Sequence, residues 1–208
     1  IAGREVLAAR NRNLPVVGIT LLLAAASALD HLAMAQRLAD PSMGIRLAIA
    51  LITTLLALIG GRIIPSFTRN WLVKRGVTVN LPVQPNRFDM IAIAVTAVAL
   101  LTWTFLPESV AAASMLLVGG LLQLVRLVRW SGHRTLADPL VLILHIGYVW
   151  VPAGLLLLGA SILIRDNVPS SAAIHALTAG AMTIMILAVM TRATLGHTGR
   201  TLAADTLT

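Results

Sequence analysis

Long apolar runs, separated by short polar or charged stretches, dominate the pattern of this sequence. Six runs match or approach the roughly 20 residues that a helix needs to cross the hydrocarbon core of a bilayer. They cover residues 16–35, 44–60, 88–106, 110–130, 140–164 and 172–190. The connections between them are short, with one exception. The pattern predicts an all-α fold, a single polytopic transmembrane bundle of about six helices over residues 1–208.

The exception is residues 61–87, which lie between the second and third runs. This segment opens with GGRIIPSFTRNWLVKRG. A pair of glycines followed by a proline is typical of a helix end. The later Phe67, Trp71 and Leu72 have the spacing of a helix that lies at the headgroup level. We therefore expect the second helix to end at Gly60 and residues 61–87 to form an interfacial loop.

The positive residues indicate the direction of the six helices, because cytoplasmic loops collect Lys and Arg. With six crossings, three positive residues fall on one side: Arg37, Arg46 and Arg165. The other thirteen fall on the opposite side: Arg4, Arg10, Arg12, Arg62, Arg69, Lys74, Arg75, Arg87, Arg126, Arg129, Arg134, Arg192 and Arg200. This bias predicts that both ends of the chain are cytoplasmic.

Composition supports the membrane interpretation and narrows the chemistry. Of 208 residues, 58 % are hydrophobic and 12 % charged, and the mean hydropathy is +0.89, values that exclude an ordinary soluble domain. The net charge of +8 comes with only 4 % aromatic residues and no dense basic run, so we expect a lipid bilayer and no nucleic acid as partner. Without cysteine, a metal must rest on His, Met or carboxylate ligands. The chain begins with Ile1 and shows no cleavage site, which indicates part of a longer polypeptide.

His145 and His175 are the leading candidate metal ligands, because an ionisable group in lipid is costly unless it has a partner or a function. His145 lies about six residues, or ~9 Å, into the fifth run. His175 begins the sixth run, where positions 175, 178, 182, 185 and 189 share one helical face with Met182 and Met185. Imidazole and thioether ligands suit copper, and imidazole also suits haem iron. The alternatives are an imidazole bonded to a neighbouring helix and methionines that pack in the core.

The remaining histidines are weaker candidates. His197 follows the sixth run, where it is either a ligand or a complement to the helix dipole. His31 lies near the outer end of the first run, and His133 lies in a charged loop. The heights of these residues along the helices suggest two layers of ligands. The inner layer would contain His145 and His197, and the outer layer His175 with His31 or Met34.

Three further residues have a specific interpretation. Arg126 and Arg129 in the fourth run could pair with haem propionates, since guanidinium binds carboxylate through two hydrogen bonds. The alternative is that Arg126 and Arg129 extend to cytoplasmic phosphates. Asp138, which precedes Pro139, is predicted to cap the fifth helix.

The segments GGLLQLVRLVRWSG, DPLVLILHIGYVWVP and SAAIHALTAGAMTIMILAVMTRATLGHTGR, in this order and spacing, resemble the NnrS family of membrane proteins. Members are larger, so this chain is similar to their C-terminal half. The resemblance implies a bacterial inner-membrane protein that holds haem and copper and protects against nitric oxide and nitrosative stress. It also implies ligand roles for His145, His175 and His197, with Arg192 and Arg200 in the closing motif.

Two other functions stay open at this point. One is a metal-free permease or channel, in which the histidines relay protons and Arg126 and Arg192 bind an anion. The other is a scaffold whose polar residues only join helices. The sequence has no pair of histidines one turn apart of the kind expected for a haem–copper oxidase site, which argues against simple nitric oxide reductase activity. The reaction, the electron donor and the existence of a homo-oligomer are left open.

Overall fold

The computed structural model of the chain describes residues 14–35 and 40–204. Within these ranges there is no strand, and six helices are long and apolar enough to cross a membrane, which confirms the predicted all-α transmembrane bundle. They are α1 Leu14–Met34, α2 Met43–Lys74, α3 Arg87–Phe105, α4 Val110–Arg129, α5 Pro139–Leu163 and α6 Ser170–His197. Arg4, Arg10, Arg12 and Arg37 of the charge pattern lie outside the described residues.

Polar side chains at the helix starts explain where α3 and α5 begin. The Asp89 carboxylate accepts a hydrogen bond from the backbone N–H of Asn86 at 3.1 Å, which closes a capping box at the start of α3. Asp138 accepts from the backbone N–H of Val141 at 3.2 Å, and Pro139 is the first residue of α5. The cap predicted at Asp138 is therefore confirmed.

Helix α2 does not end at Gly60, and this part of the sequence prediction is wrong. The helix continues without a break through Pro65 to Lys74. At 1.5 Å per residue its 32 residues span about 48 Å, longer than the ~30 Å hydrocarbon core. The predicted interfacial loop over 61–87 is thus reduced to the segment between Lys74 and Arg87, and residues 61–74 belong to the helix.

Tertiary contacts explain why the glycine pair lies inside α2. A Cβ at Gly60 would come within 2.9 Å of the Tyr148 ring, and one at Gly61 would overlap the guanidinium of Arg126. These glycines mark close approaches of α4 and α5 side chains to the α2 backbone. A proline inside a membrane helix is tolerated because neighbouring groups satisfy the freed carbonyl.

Helix α5 lies at the centre of the bundle and packs against α2, α4 and α6. Small residues permit the close approach of these helices. A Cβ at Gly159 would lie 2.9 Å from the backbone oxygen of Ala113 in α4. One at Gly154 would lie 2.6 Å from the side chain of Leu177 in α6. The core of the bundle is therefore the seam along α5.

Helix α1 packs mainly on α2, at the edge of the bundle. Its Ala26 is buried against Leu47 and Leu51. Gly44 of α2 lies so close to α1 that a Cβ there would be 2.7 Å from the backbone nitrogen of Asp30. Most of the α1 surface is exposed, including Leu21.

Helix α6 has a π-helical stretch, Ala176–Thr183, between the α-helical stretches Ser170–His175 and Ile184–His197. The π-helix has a wider turn than the α-helix. Fully buried residues accordingly recur at four-residue intervals: Ala173, Leu177 and Ala181.

The predicted common face of His175, Met182 and Met185 is wrong because of this wider turn. Met182 and Met185 are in the core, at 9 % and 2 % exposure, whereas His175 is exposed. The regular 3-4-3-4 spacing assumed an unbroken α-helix, and the π-helical stretch shifts the two methionines to a different face from His175.

Gly159→Val should destabilise the protein, because the new side chain would press on the α4 backbone oxygen of Ala113 as well as on the Leu117 side chain, and the backbone oxygen cannot move aside freely. Overpacking of this kind costs about 1–3 kcal/mol. Unfolding in detergent, followed by circular dichroism, measures the effect. The matched control is Gly18→Val in α1, where an added Cβ meets nothing within 4 Å. Equal stability of the two variants would contradict the assigned α4–α5 packing.

Candidate functional site

A buried polar cluster joins α2, α3, α4 and α5 around Arg126. The Arg126 side chain is 1 % exposed, and its Nε donates to the Asp89 carboxylate at 2.9 Å. Its Nη1 donates to Gln123 Oε1 at 2.8 Å and to the Tyr148 hydroxyl at 3.0 Å. Nη1 also lies 3.2 Å from the backbone oxygen of Ala57, and the Tyr148 hydroxyl donates to Gln123 at 2.7 Å. We call these residues the Arg126 cluster.

Two neighbours complete the electrostatics of the Arg126 cluster. The second carboxylate oxygen of Asp89 lies 3.8 Å from the Arg129 guanidinium. The Trp130 ring lies 5.3 Å from the Arg126 Cζ and meets the Tyr148 ring edge-on at 4.7 Å. Arg126 is thus held inside the protein rather than extended to lipid phosphates. Asp89 already occupies the Nε side of the guanidinium, where an external carboxylate would otherwise pair.

Sequence reasoning missed Asp89, although a signal for it was present. Asp89 is the only charged residue within the predicted run 88–106. An acidic residue in such a position requires a positive partner. Its partner is 37 positions further along the chain, so that only the packing of α3 on α4 brings the two together.

His145 is buried at 5 % exposure and has one ring nitrogen in use. Its Nε2 lies 2.8 Å from the Thr68 hydroxyl oxygen of α2, and that hydroxyl lies 2.9 Å from the backbone oxygen of Ile64. A threonine hydroxyl has a single hydrogen, which Thr68 donates to Ile64. This favours the tautomer in which His145 Nε2 carries the ring proton and donates a hydrogen bond to the Thr68 oxygen. This assignment leaves Nδ1 as an unprotonated, buried lone pair without a hydrogen-bond partner among the described residues.

The free Nδ1 of His145 faces Gly132, where a Cβ would lie only 2.6 Å from it. A cavity of about 280 Å³ adjoins the ring between the ends of α4 and α5. Leu127, Ile146 and Val149 give it mostly apolar walls. Position 132 must therefore be glycine for the imidazole to keep this place, and the His145 ring is part of the cavity wall.

The other candidate histidines do not join His145. His175, His197 and His31 are all exposed, as is His133. His175 Nδ1 lies 2.8 Å from the backbone oxygen of Ser171 in its own helix. In residues 14–35 and 40–204, no group of three or more His, Cys, Asp or Glu side chains could hold a metal.

Helix packing also separates His145 and His175 in height. Leu177 contacts α5 at Gly154, nine residues or about 14 Å along that helix from His145. His175 lies beyond Leu177 in the same direction. Its height agrees with the two layers expected from the sequence. His31 is on α1, whose main contacts are with α2.

A second cavity lies between α2 and α6, and Arg192 of the closing motif is one of its lining residues. Its Cζ lies 4.3 Å from the centre of the Phe67 ring. Its Nη1 is buried and has no acceptor among the described residues. Arg200 is exposed beyond the end of α6. Arg192 is therefore the half-buried cation of this motif that lacks a partner within residues 14–35 and 40–204.

His145 is the described side chain whose chemistry best matches what haem and copper require of a ligand. Imidazole with a free lone pair is a ligand for either metal, and His145 supplies one at an apolar cavity. The cavity beside it is at the lower limit of ordinary ligand sites. The described residues therefore fit a single imidazole ligand, and they do not by themselves form a closed metal site.

Fold and site together define a multi-pass α-helical membrane protein with buried ionisable residues in its bundle. A family model described as NnrS protein matches residues 1–208, the whole chain. The chain belongs to the NnrS family. No curated protein matches it. No solved structure matches it either.

Asp89→Asn should be strongly destabilising, because it leaves the Arg126 charge buried and unpaired. Breaking a buried pair in this way costs about 3–5 kcal/mol. The free energy of unfolding, measured by denaturant titration in mixed micelles, gives the loss. The control is Asp166→Asn, which removes the same charge from an exposed turn. The double variant Asp89→Asn/Arg126→Gln should recover much of the loss; a larger loss than in the single variant would contradict the pairing.

Proposed function

We propose that this protein is a bacterial inner-membrane protein that protects the cell against nitric oxide and nitrosative stress. Membership of the NnrS family supports the nitric oxide connection. The apolar bundle also suits such a substrate, since nitric oxide is small and uncharged. We infer further that b-type haem, bound without covalent links, and copper are the cofactors.

The observation that carries the cofactor proposal is the free Nδ1 of His145. A buried polar atom without a partner costs free energy, about 1–3 kcal/mol, and needs an explanation. Thr68 fixes the ring proton on Nε2, as second partners of ligating histidines do. His145 is thus oriented and in the protonation state that a metal ligand requires. When bound, haem iron would supply a site for a diatomic gas and for electron transfer.

The other candidate ligand residues, His175, His197, His31 and Arg126, are not placed as His145 is. His175 and His197 are exposed near opposite ends of α6, and His31 is exposed on α1. Ligands from another part of the protein, or from a second copy in a homo-oligomer, could reach them there. Arg126 is satisfied by Asp89, so we propose that it stabilises the bundle near His145 rather than binding a cofactor.

We also propose that both ends of this chain lie on the cytoplasmic side of the membrane. Lys74, Arg129 and Arg192 lie near one set of helix ends, and Arg46 and Arg165 near the opposite set. The set of helix ends with more Lys and Arg would face the cytoplasm. Arg46, at the opposite set of helix ends, donates a hydrogen bond to the backbone oxygen of Thr104 at 3.0 Å, so that its guanidinium is held by the protein.

The full-length protein, purified in detergent, should show a haem Soret band that shifts on dithionite reduction, with bound iron and copper in the same sample. His145→Ala should lose the haem absorbance in proportion to bound iron, because it removes the buried lone pair. His175→Ala and His197→Ala, measured in parallel, assign the other predicted ligands. The matched control is His133→Ala, which removes an exposed loop histidine.

Two results would overturn this proposal. A colourless, metal-free but folded protein would exclude haem and copper and would favour the permease. Full haem content in His145→Ala would remove His145 as the iron ligand. A melting curve for each variant separates cofactor loss from unfolding.

A further inference from the structure

A cavity of about 840 Å³ lies between the later turns of α2 and α6, separate from the Arg126 cluster and from the His145 cavity. Its wall on α2 follows one helical stripe, with residues three or four positions apart. These are Ile59, Ile63, Phe67, Asn70 and Lys74. On α6 the stripe is Val189, Arg192, Ala193 and Gly196, in which the small residues leave the space open.

The chemistry of this cavity changes along its length. Ile59 and Ile63 form an apolar part nearer the middle of α2, whereas Arg69 and Lys74 lie in its last turns. Because α2 exceeds the hydrocarbon thickness, these last turns reach the headgroup region. Trp71, with the Arg75 guanidinium 4.6 Å from its ring centre, fits that depth as an interfacial residue. The apolar part then lies at acyl-chain depth and the cationic part at phosphate depth.

Arg192 gives the cationic part a fixed donor. Its guanidinium is held over the Phe67 ring, and its buried Nη1 lacks an acceptor in the part of the chain that the structure describes. No described carboxylate forms an ion pair with Arg69, Lys74 or Arg192. Asp138 lines an adjoining cavity, but its carboxylate accepts from the backbone N–H of Val141. Within residues 14–35 and 40–204, these three cations therefore have no ion-pair partner.

We propose that the cavity binds one phospholipid with an anionic headgroup. Its phosphate accepts hydrogen bonds from Arg192 between the charges of Arg69 and Lys74, and an acyl chain lies along Ile59 and Ile63. A zwitterionic headgroup would bring its own cation towards these residues, so the site prefers a headgroup with net negative charge. This proposal does not depend on haem or copper binding.

Native mass spectrometry of the full-length protein tests the proposal, with phosphatidylglycerol and phosphatidylcholine of equal chain length as probes. The protein should retain phosphatidylglycerol preferentially. Arg192→Gln should lower this retention about fivefold, the factor expected for one cation near a membrane surface. Lys74→Gln, on an exposed side chain that folding does not need, should act in the same direction. Arg165→Gln, an exposed cation at the opposite end, is the matched control and should change nothing.

Several results would overturn the proposal. Equal retention of the two lipids, or retention unchanged in both Arg192→Gln and Lys74→Gln, would exclude a specific lipid site. Displacement of phosphatidylglycerol by millimolar inorganic phosphate would identify a site for a soluble anion instead. A parallel loss of haem absorbance and lipid in Arg192→Gln would assign the cavity to the cofactor.

Discussion

The buried ion pair between Arg126 and Asp89 constrains the packing of the four central helices, α2 to α5. A guanidinium that has left water inside an apolar bundle must find all its partners within the protein. Those partners come from α2, α3, α4 and α5, so that four helices must be in place at once. Several features of the sequence that look unrelated serve this one requirement.

The glycines of α2 are the clearest example. Gly61 provides the space for the Arg126 guanidinium, and Gly60 provides the space for the Tyr148 ring whose hydroxyl the guanidinium contacts. A helix that could otherwise end at this pair of glycines is continued because its backbone forms one wall of the cluster. Lost helix propensity at glycine is a cost of about 1 kcal/mol per residue, which tertiary packing offsets.

The basic residues of the bundle fall into two groups, according to whether other residues of the protein accept their hydrogen bonds or pair with their charge. Arg126 has protein acceptors on several sides and stabilises the fold. His145 and Arg192 are each held in place by one neighbour, Thr68 or Phe67, and each retains a buried atom that no described residue engages. Fixed orientation together with unused binding capacity is the arrangement expected of ligand-binding groups. It distinguishes these two residues from the exposed histidines.

The sequence by itself determined that there are six membrane-length helices, because apolar length acts locally on each segment. It also determined the cap at Asp138, which depends on residues three positions apart. The tertiary structure decided the true end of α2, the partner of Arg126, and the separation of His175 from Met182 by the π-helical stretch. Each of these depends on which helices become neighbours. No property of a single segment contains that information.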